Sequence, residues 1–485
     1  MFLINFSRIS KTAIHTTCTI SLLGGLSIAL SGCGFQEYIA KPLNSAEIAE
    51  KFARRQVDNQ QFHEFLIANG YQADELPIQR WGADELIYCA LFFNPTLDVA
   101  RAQWRSAEAA KMTAALRPLP NLKGSYGDSN NANDELKPYT YTLSIDLPVE
   151  TANKRTIRIE SAAHLSEAAK LRIAQSAWQL RSEVTKTLFE YQYNQQLLNL
   201  LNKEQEYRQQ IVAIFQKRIS VGESASTELS RANLLLQEVT TQLNEKQRYQ
   251  LVLQSRLASS LGLPLERITQ MPFAQATDAK ALALDLSADL QTQALLNRLD
   301  IRIALERYAA AEARVKMEIA KQYPDLVFQP NHTYEFGNKI WGLSLSSLMT
   351  FLNKNKMPIA EAKQLREVEA AQFEALQNTV IADVATARAK FEQSRQMLDN
   401  QEKLVKQQQE NTDRIERKFK AGEADRLELT YAKLESLVAQ KNYSLANYMQ
   451  LMSIQDLENM TQAPIMATRL KAEKLEQLTL DNTGK

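Results

Sequence analysis

Lys217–Leu234 reads KRISVGESASTELSRANL, and Arg417–Leu434 reads RKFKAGEADRLELTYAKL. At a constant offset of 200 the two stretches share Gly222/Gly422, Glu223/Glu423, Glu228/Glu428, Leu229/Leu429, Ala232/Ala432 and Leu234/Leu434. Gly222 is the sole Gly or Pro between Val149 and Leu261, and Gly422 the sole one between Ile359 and Ala463. A lone glycine between two helix-forming runs, with a polar cap after it, marks the turn of a helical hairpin. Glycine suits that place because it enters the left-handed conformation without a Cβ clash. Two long hairpins, bent at matched points, are expected to frame the molecule.

Working outward, a second repeat surrounds the first. The alanine-rich helix expected over Asn94–Leu122 returns at Arg298–Leu326, with Ala100/Ala304, Ala107/Ala311, Glu108/Glu312, Ala109/Ala313, Pro120/Pro324 and Leu122/Leu326 identical. After each proline the period changes from helix to strand. Tyr139, Tyr141, Leu143, Ile145 and Leu147 alternate with Thr140, Thr142, Ser144 and Asp146; Trp341, Leu343 and Leu345 alternate with Gly342, Ser344 and Ser346. Weaker partner strands are expected at Leu122–Tyr126 and Leu326–Phe336, across a polar loop (Asp128–Pro138) and a short turn (Gly337–Asn338). Such alternation fits a half-buried soluble sheet and equally a membrane strand with lipid on one side and water on the other. Pro148 and Pro358 are expected at the entrances of the long helices, where a missing N–H is harmless. Each ascending helix would span roughly 100 Å at about 1.5 Å per residue, so it must lie against other long helices rather than fold round a compact core.

The expected fold class is mainly α with membrane β: a duplicated unit of helix, strand, strand, long helix, turn and helix. One chain then offers four strands. Four cannot close into a barrel, and open edges are excluded from lipid, so the membrane reading demands several copies. The expected divisions are a signal segment over 1–32, an N-terminal segment 33–93, repeat 1 at 94–265, a linker 266–296, repeat 2 at 297–463 and a tail 464–485.

Composition narrows the class. Of 485 residues, 57 are Lys or Arg and 56 Asp or Glu, for a net charge of +1 with the signs interspersed. No basic stripe points to a nucleic-acid partner. Three histidines past the signal, His63, His164 and His332, lie far apart; no zinc-type cluster, phosphate loop or catalytic constellation is present. No metal site or cofactor is expected, and Met449 with Met452 reads as core. At the N-terminus, Arg8 and Lys11 precede an apolar run ending Leu30-Ser31-Gly32-Cys33, a targeting segment rather than fold. It resembles the bacterial lipoprotein box, which implies that Cys33 carries covalent lipid. Gly34 after it implies the outer membrane. Cys89 sits in the apolar run LIYCALFF and is expected to be buried.

With these features together, the chain resembles the TolC family of outer-membrane efflux channels, from Trp81 to Ala463. The twin G-E-x₄-E-L-x₂-A turns, the twin P-x-L helix exits and the lipoprotein box carry the likeness. FFNPTLDVARAQW (Phe92–Trp104), DLPVETANKR (Asp146–Arg155) and FLNKNKMPIAEA (Phe351–Ala362) look closest to its CzcC-like, heavy-metal branch. Within and just before the last, Met357 and Leu348 stand where glycine and proline are usual in that branch. The resemblance implies a homotrimer with a twelve-stranded barrel in the outer membrane and a periplasmic tunnel of paired helices. It also implies a periplasmic adaptor and an inner-membrane RND-type pump as partners, and small solutes, heavy-metal cations first, as cargo. The alternatives are a drug or type I secretion channel and a coiled-coil scaffold lipoprotein that conducts nothing.

The same resemblance suggests site residues. Glu428 and Glu228 match positions of an acidic ring at the tunnel mouth; for Glu428 the competing reading is a capping box with Asp425, while Ala225 holds the cap position in the first copy. Tyr431 and Arg231 replace a second acidic ring. Gly222, Glu223, Gly422 and Glu423 would present the tips to the adaptor. Tyr126, Tyr139, Tyr141, Phe328, Tyr334, Phe336 and Trp341 are candidates for aromatic girdles at the membrane interfaces, with simple sheet packing as the other reading.

Overall fold

The computed structural model describes residues 36–128, 139–275, 277–281, 290–348, 354–466 and 469. Cys33, the signal segment, the loop 129–138 and most of the tail 464–485 lie outside the described residues. The chain divides into two compact units, Met1–Arg54 and Arg55–Lys485. The first contains helix α1 (Ser45–Ala53), whose N-terminus is capped by Asn44 accepting from the Ala46 N–H at 3.1 Å.

The second unit runs α2 (Gln60–Ala68), α3 (Ala83–Phe93), α4 (Pro95–Ala114), β1 (Asn121–Asp128), β2 (Tyr139–Val149), α5 (Lys154–Ser220), α6 (Ser226–Leu261), α7 (Leu265–Thr269), α8 (Leu290–Asn297), α9 (Leu299–Ala320), β3 (Leu326–Glu335), β4 (Asn338–Ser347), α10 (Lys356–Lys420) and α11 (Arg426–Thr461). The apolar run around Cys89 becomes α3 and buries eight consecutive residues, Leu86 to Phe93. With Phe62 and Trp81 they pack on Trp178, Val184 and Leu188 of α5 and on Leu253 and Leu257 of α6. Complete burial pushes the Cys89 thiol pKa up, which removes thiolate reactivity.

The expected hairpins are present. α5 has 67 residues and α10 has 65, each ending at a glycine in the left-handed region, Gly222 at φ 78° and Gly422 at φ 77°. Both turns close with the same pair of bonds: Glu223 N to Arg218 O at 2.8 Å with Gly222 N to Ile219 O at 3.0 Å, and Glu423 N to Lys418 O at 2.8 Å with Gly422 N to Phe419 O at 3.0 Å. This is the Schellman pattern, which satisfies carbonyls that a helix end would leave bare.

Neighbouring helices form an open row. Toward the glycine tips its order is α6–α5–α11–α10; nearer the sheet it is α4–α5–α9–α10. The strands repeat the arrangement as one antiparallel sheet, β1-β2-β3-β4, with β1 and β4 as unpaired edges. Strands are joined at one end by the segment 129–138 and by the turn at Phe336 (φ 47°) and Gly337 (φ 99°). Two successive positive φ values match the twist of a tight hairpin. All four helix connections leave from the other end.

Two expectations change. Pro148 does not open a helix; it belongs to β2 and pairs with Val327. The β1 ladder ends at Asp146, so beyond it β2 has a neighbour on one side only and tolerates a residue without an N–H. The entrances lie further on, at Ala152-Asn153 (φ 53° and 57°) and Lys354-Asn355 (φ 52° and 48°); Pro358 does fall in the first turn of α10. The first alanine-rich helix also stops at Ala114, before Pro118 and Pro120.

Candidate functional site

Three places on the second unit combine exposure with chemistry: the sheet, its junction with the helices, and the glycine tips. On the sheet the usual distribution is inverted. Along β2, Tyr141, Leu143, Ile145, Leu147 and Val149 are exposed while Ser144 is 6 % exposed. Register places Leu122 and Tyr126 of β1, Phe328 and Pro330 of β3, and Trp341, Leu343 and Leu345 of β4 on the same apolar face. Trp341 is 81 % and Leu343 72 % exposed. The opposite face is polar and cross-linked: Thr142 to Thr333 at 3.1 Å, Gln329 to Asp146 at 2.9 Å, and Lys123 to Asp146 at 2.6 Å. A soluble sheet buries its apolar side; this one satisfies its polar side and leaves the apolar one bare, as a strand between lipid and water does. β2, β3 and β4, at eleven, ten and ten residues, are long enough to cross a bilayer's hydrocarbon when tilted.

The aromatic residues expected as girdles separate by height. Tyr126, Tyr141 and Tyr334 stand in register across three strands near the 336–337 turn. Tyr334 stacks between Tyr139 and Tyr141, at 5.2 Å from each. Trp341 lies one pair lower, edge-on to His332 at 4.5 Å. Phe328 stands apart, toward the helical end, opposite Leu147 and Leu345. Phe336 occupies the turn itself.

The junction was missed in the sequence. Lys154, 7 % exposed, donates to Tyr323 O and Asp325 Oδ1, both at 2.7 Å, and Asp325 also accepts the Thr151 N–H at 2.9 Å. Arg158 donates to Ala114 O at 2.8 Å and Leu116 O at 2.9 Å while gripping Glu150. In the second copy Asn355 donates to Glu318 O at 2.8 Å. These contacts fasten both long helices to the ends of α4 and α9. A signal existed: Asn-Lys recurs at 153–154 and 355–356, and asparagine is the commonest non-glycine residue at positive φ.

At the tips, Gly222, Glu223, Gly422 and Glu423 are exposed, and a Cβ on either glycine would meet nothing within 4 Å. Both Glu228 and Glu428 are exposed on the first turn of a descending helix. Asp425 caps α11 by accepting the Glu428 N–H at 2.7 Å and pairs with Arg218 of the other hairpin at 2.7 Å. That N–H above all, and the Arg218 guanidinium, hold its carboxyl below the usual carboxylate range against slight burial. The first copy has no such cap; Ala225 stands there and Ser224 bonds the Glu228 carboxylate instead. Asp425, Glu428, Tyr431 and Glu435 line a groove of about 400 Å³ on tip 2. A larger groove, about 810 Å³, carries Met397, Met449 and Met452 between α10 and α11. Among the described residues no group of three or more His, Cys, Asp or Glu could hold a metal, and no helix is long and apolar enough to cross a membrane.

An inverted sheet continuous with a row of long helices, both open at their edges, defines a channel-forming outer-membrane protein. The chain belongs to the outer membrane efflux protein family, whose model matches residues 86–263 and 290–462. It is 22 % identical over 381 residues to the pyoverdine export outer membrane protein OpmQ of Pseudomonas aeruginosa, covering 72 % of this chain and 78 % of that one. It is likewise 22 % identical over 296 residues to the cobalt-zinc-cadmium resistance protein CzcC of Cupriavidus metallidurans, covering 59 % and 66 %. Its fold is similar to the CmeC outer membrane channel of Campylobacter jejuni, with a TM-score of 0.65 at 17 % identity over 83 % of this chain and 90 % of that chain. The family and the fold are those of transport channels, as the TolC-like motifs suggested.

Proposed function

We propose that this chain is the passive exit duct of a tripartite efflux assembly, working as a homotrimer with a periplasmic adaptor and an inner-membrane RND-type pump. The inverted sheet with two unpaired edges carries the reading. Its backbone groups at β1 and β4 need partners in lipid, and three copies of a four-stranded ribbon supply twelve strands, above the roughly eight that a closed barrel needs. Closure turns the Thr, Ser, Asn and Gln side chains inward as a wet lining. Cys33 carries the lipid anchor, residues 94–265 and 297–463 are the two repeats, and Gly222, Glu223, Gly422 and Glu423 meet the adaptor. Glu228 and Glu428 of three copies form a cation-attracting ring at the mouth, and the Tyr-rich row with Phe328 forms the two girdles. Purified protein in planar bilayers is expected to give discrete conductance; a well-folded oligomer that stays silent would instead support the scaffold reading.

The cargo is a small solute. The likeness to CzcC supports divalent heavy-metal cations, and the equal identity to OpmQ supports an organic solute as the second reading. Deleting the gene and comparing sensitivity to metals and to dyes separates them.

A further inference from the structure

The outward sheet face carries two basic side chains amid its apolar ones. Lys339 and His332 both stand on the apolar side, because Lys339 pairs with Tyr334 and His332 with Trp341. They occupy diagonal positions on β3 and β4, about 7–8 Å apart at the backbone. At about 3.3 Å per residue, Lys339 lies some 7 Å and His332 some 13 Å from the Phe336–Gly337 turn. They are therefore at the level where hydrocarbon gives way to headgroups. Lys339 is exposed. His332 is half-buried, with the Trp341 ring at 4.5 Å and the Tyr141 ring at 5.9 Å. The carboxylates of these strands stand elsewhere: Asp146 and Glu335 are on the polar face, and Asp128, with apolar-face parity, is at the loop end of β1, two strands away from β3. A basic residue facing lipid is costly unless something neutralises it, and among the described strand residues no carboxylate stands beside Lys339 or His332 on this face.

We propose that this corner of the sheet docks the phosphate-bearing headgroup of an outer-leaflet lipid. Lys339 and the His332 imidazole contact the phosphate, while Tyr141, Tyr334 and Trp341 cradle the upper part of the acyl chains. The inference rests on the membrane reading of the sheet and names the lipid chemistry that the face selects. Charge complementarity fixes the occupant: a zwitterionic headgroup offers a phosphate already paired with its own cation, whereas a phosphomonoester lipid offers one free.

The test uses the full-length lipidated protein in nanodiscs of phosphatidylcholine with or without added lipid A, with lipid retained after detergent exchange read by native mass spectrometry. Wild type is expected to retain lipid A. Lys339→Gln and His332→Gln are each expected to lower retention about tenfold, the worth of one charge-assisted contact, while Lys339→Arg keeps it. Equal retention by wild type and both glutamine variants would overturn the proposal. So would inorganic phosphate alone displacing lipid A completely, since that would make the site one for a free anion. Conductance of the same samples in pure phosphatidylcholine reports channel formation separately, so a variant that conducts but releases lipid A supports the docking corner. A silent wild type would count against the channel itself.

Discussion

α5 and α10 are nearly equal in length and run from the sheet to matching glycine turns, yet α5 buries 24 residues and α10 only eight. Position in the row accounts for the difference. α5 has a neighbour on each side along its whole length, whereas α10 is the flank throughout. The sheet behaves alike: in β4 Trp341, Leu343 and Leu345 are each more than 60 % exposed, while in interior β2 Tyr141, Leu143, Ile145, Leu147 and Val149 are only 39–52 % exposed. Interior members are covered within the chain, whereas flank members are left bare, as the proposed trimer requires. Leu365 and Val368, each nearly half exposed on α10, belong to that second class.

The largest expected effect tests the interior. Leu188 on α5 is 1 % exposed inside the main core, so Leu188→Ala should lower unfolding stability by about 2–5 kcal/mol. Val368→Ala on α10 should change protomer stability by less than about 0.5 kcal/mol, but Leu365→Glu with Val368→Glu should abolish oligomers while leaving the helical circular dichroism intact. Similar unfolding losses at Leu188 and Val368 would break the contrast.

The sheet gives the next effect, because its faces differ as sharply as its edges. Leu143→Lys, on the bare apolar face, should cost about 2–4 kcal/mol of membrane stability. Ser125→Lys, on the polar face of edge strand β1, should cost almost nothing and alter ion selectivity. Urea unfolding in vesicles measures the first and reversal potentials the second. A costly Ser125→Lys would mean that the polar face is not wet.

The hairpins were legible because each rests on one residue type in a long helical run: glycine fixes the turn, and nothing else nearby competes. The strands were legible as alternation, but their polarity was not. A period of two says that the faces differ and is silent about which one meets water; only the bonded Thr142–Thr333 and Gln329–Asp146 side decides. Pro148 was misplaced because a proline's tolerance depends on whether a neighbouring strand reaches it, and the end of the β1 ladder at Asp146 is a long-range fact. The junction escaped for the same reason: Lys154 and Asp325 meet across 171 residues.

The tips give the smaller effects and sharpen the comparison between the copies. Gly222 and Gly422 have the same φ within a degree and the same empty surroundings. Gly222→Val and Gly422→Val should therefore cost about the same, roughly 1–2 kcal/mol each, from backbone strain alone. Export should fail with trimers intact if the tips dock the adaptor; loss of trimers would leave the glycines a folding role only.

Where the tips differ is the cap. Asp425→Ala should weaken tip 2 by about 1 kcal/mol at neutral pH, read as faster amide exchange over the first turn of α11. In the wild type, the folded-state pKa of Asp425 lies below its unfolded value. Its contribution is then complete above the unfolded value, near about 3.9, and fades as pH falls through the folded one. Tip 1, with Ala225 at the cap, supplies the baseline. Exchange corrected for intrinsic rate should thus rise at tip 2 relative to tip 1 below about pH 4. Tips that lose protection in parallel would show that Arg218 and the Glu428 N–H do not make Asp425 a stabilising anion, and that the two copies turn by glycine geometry alone.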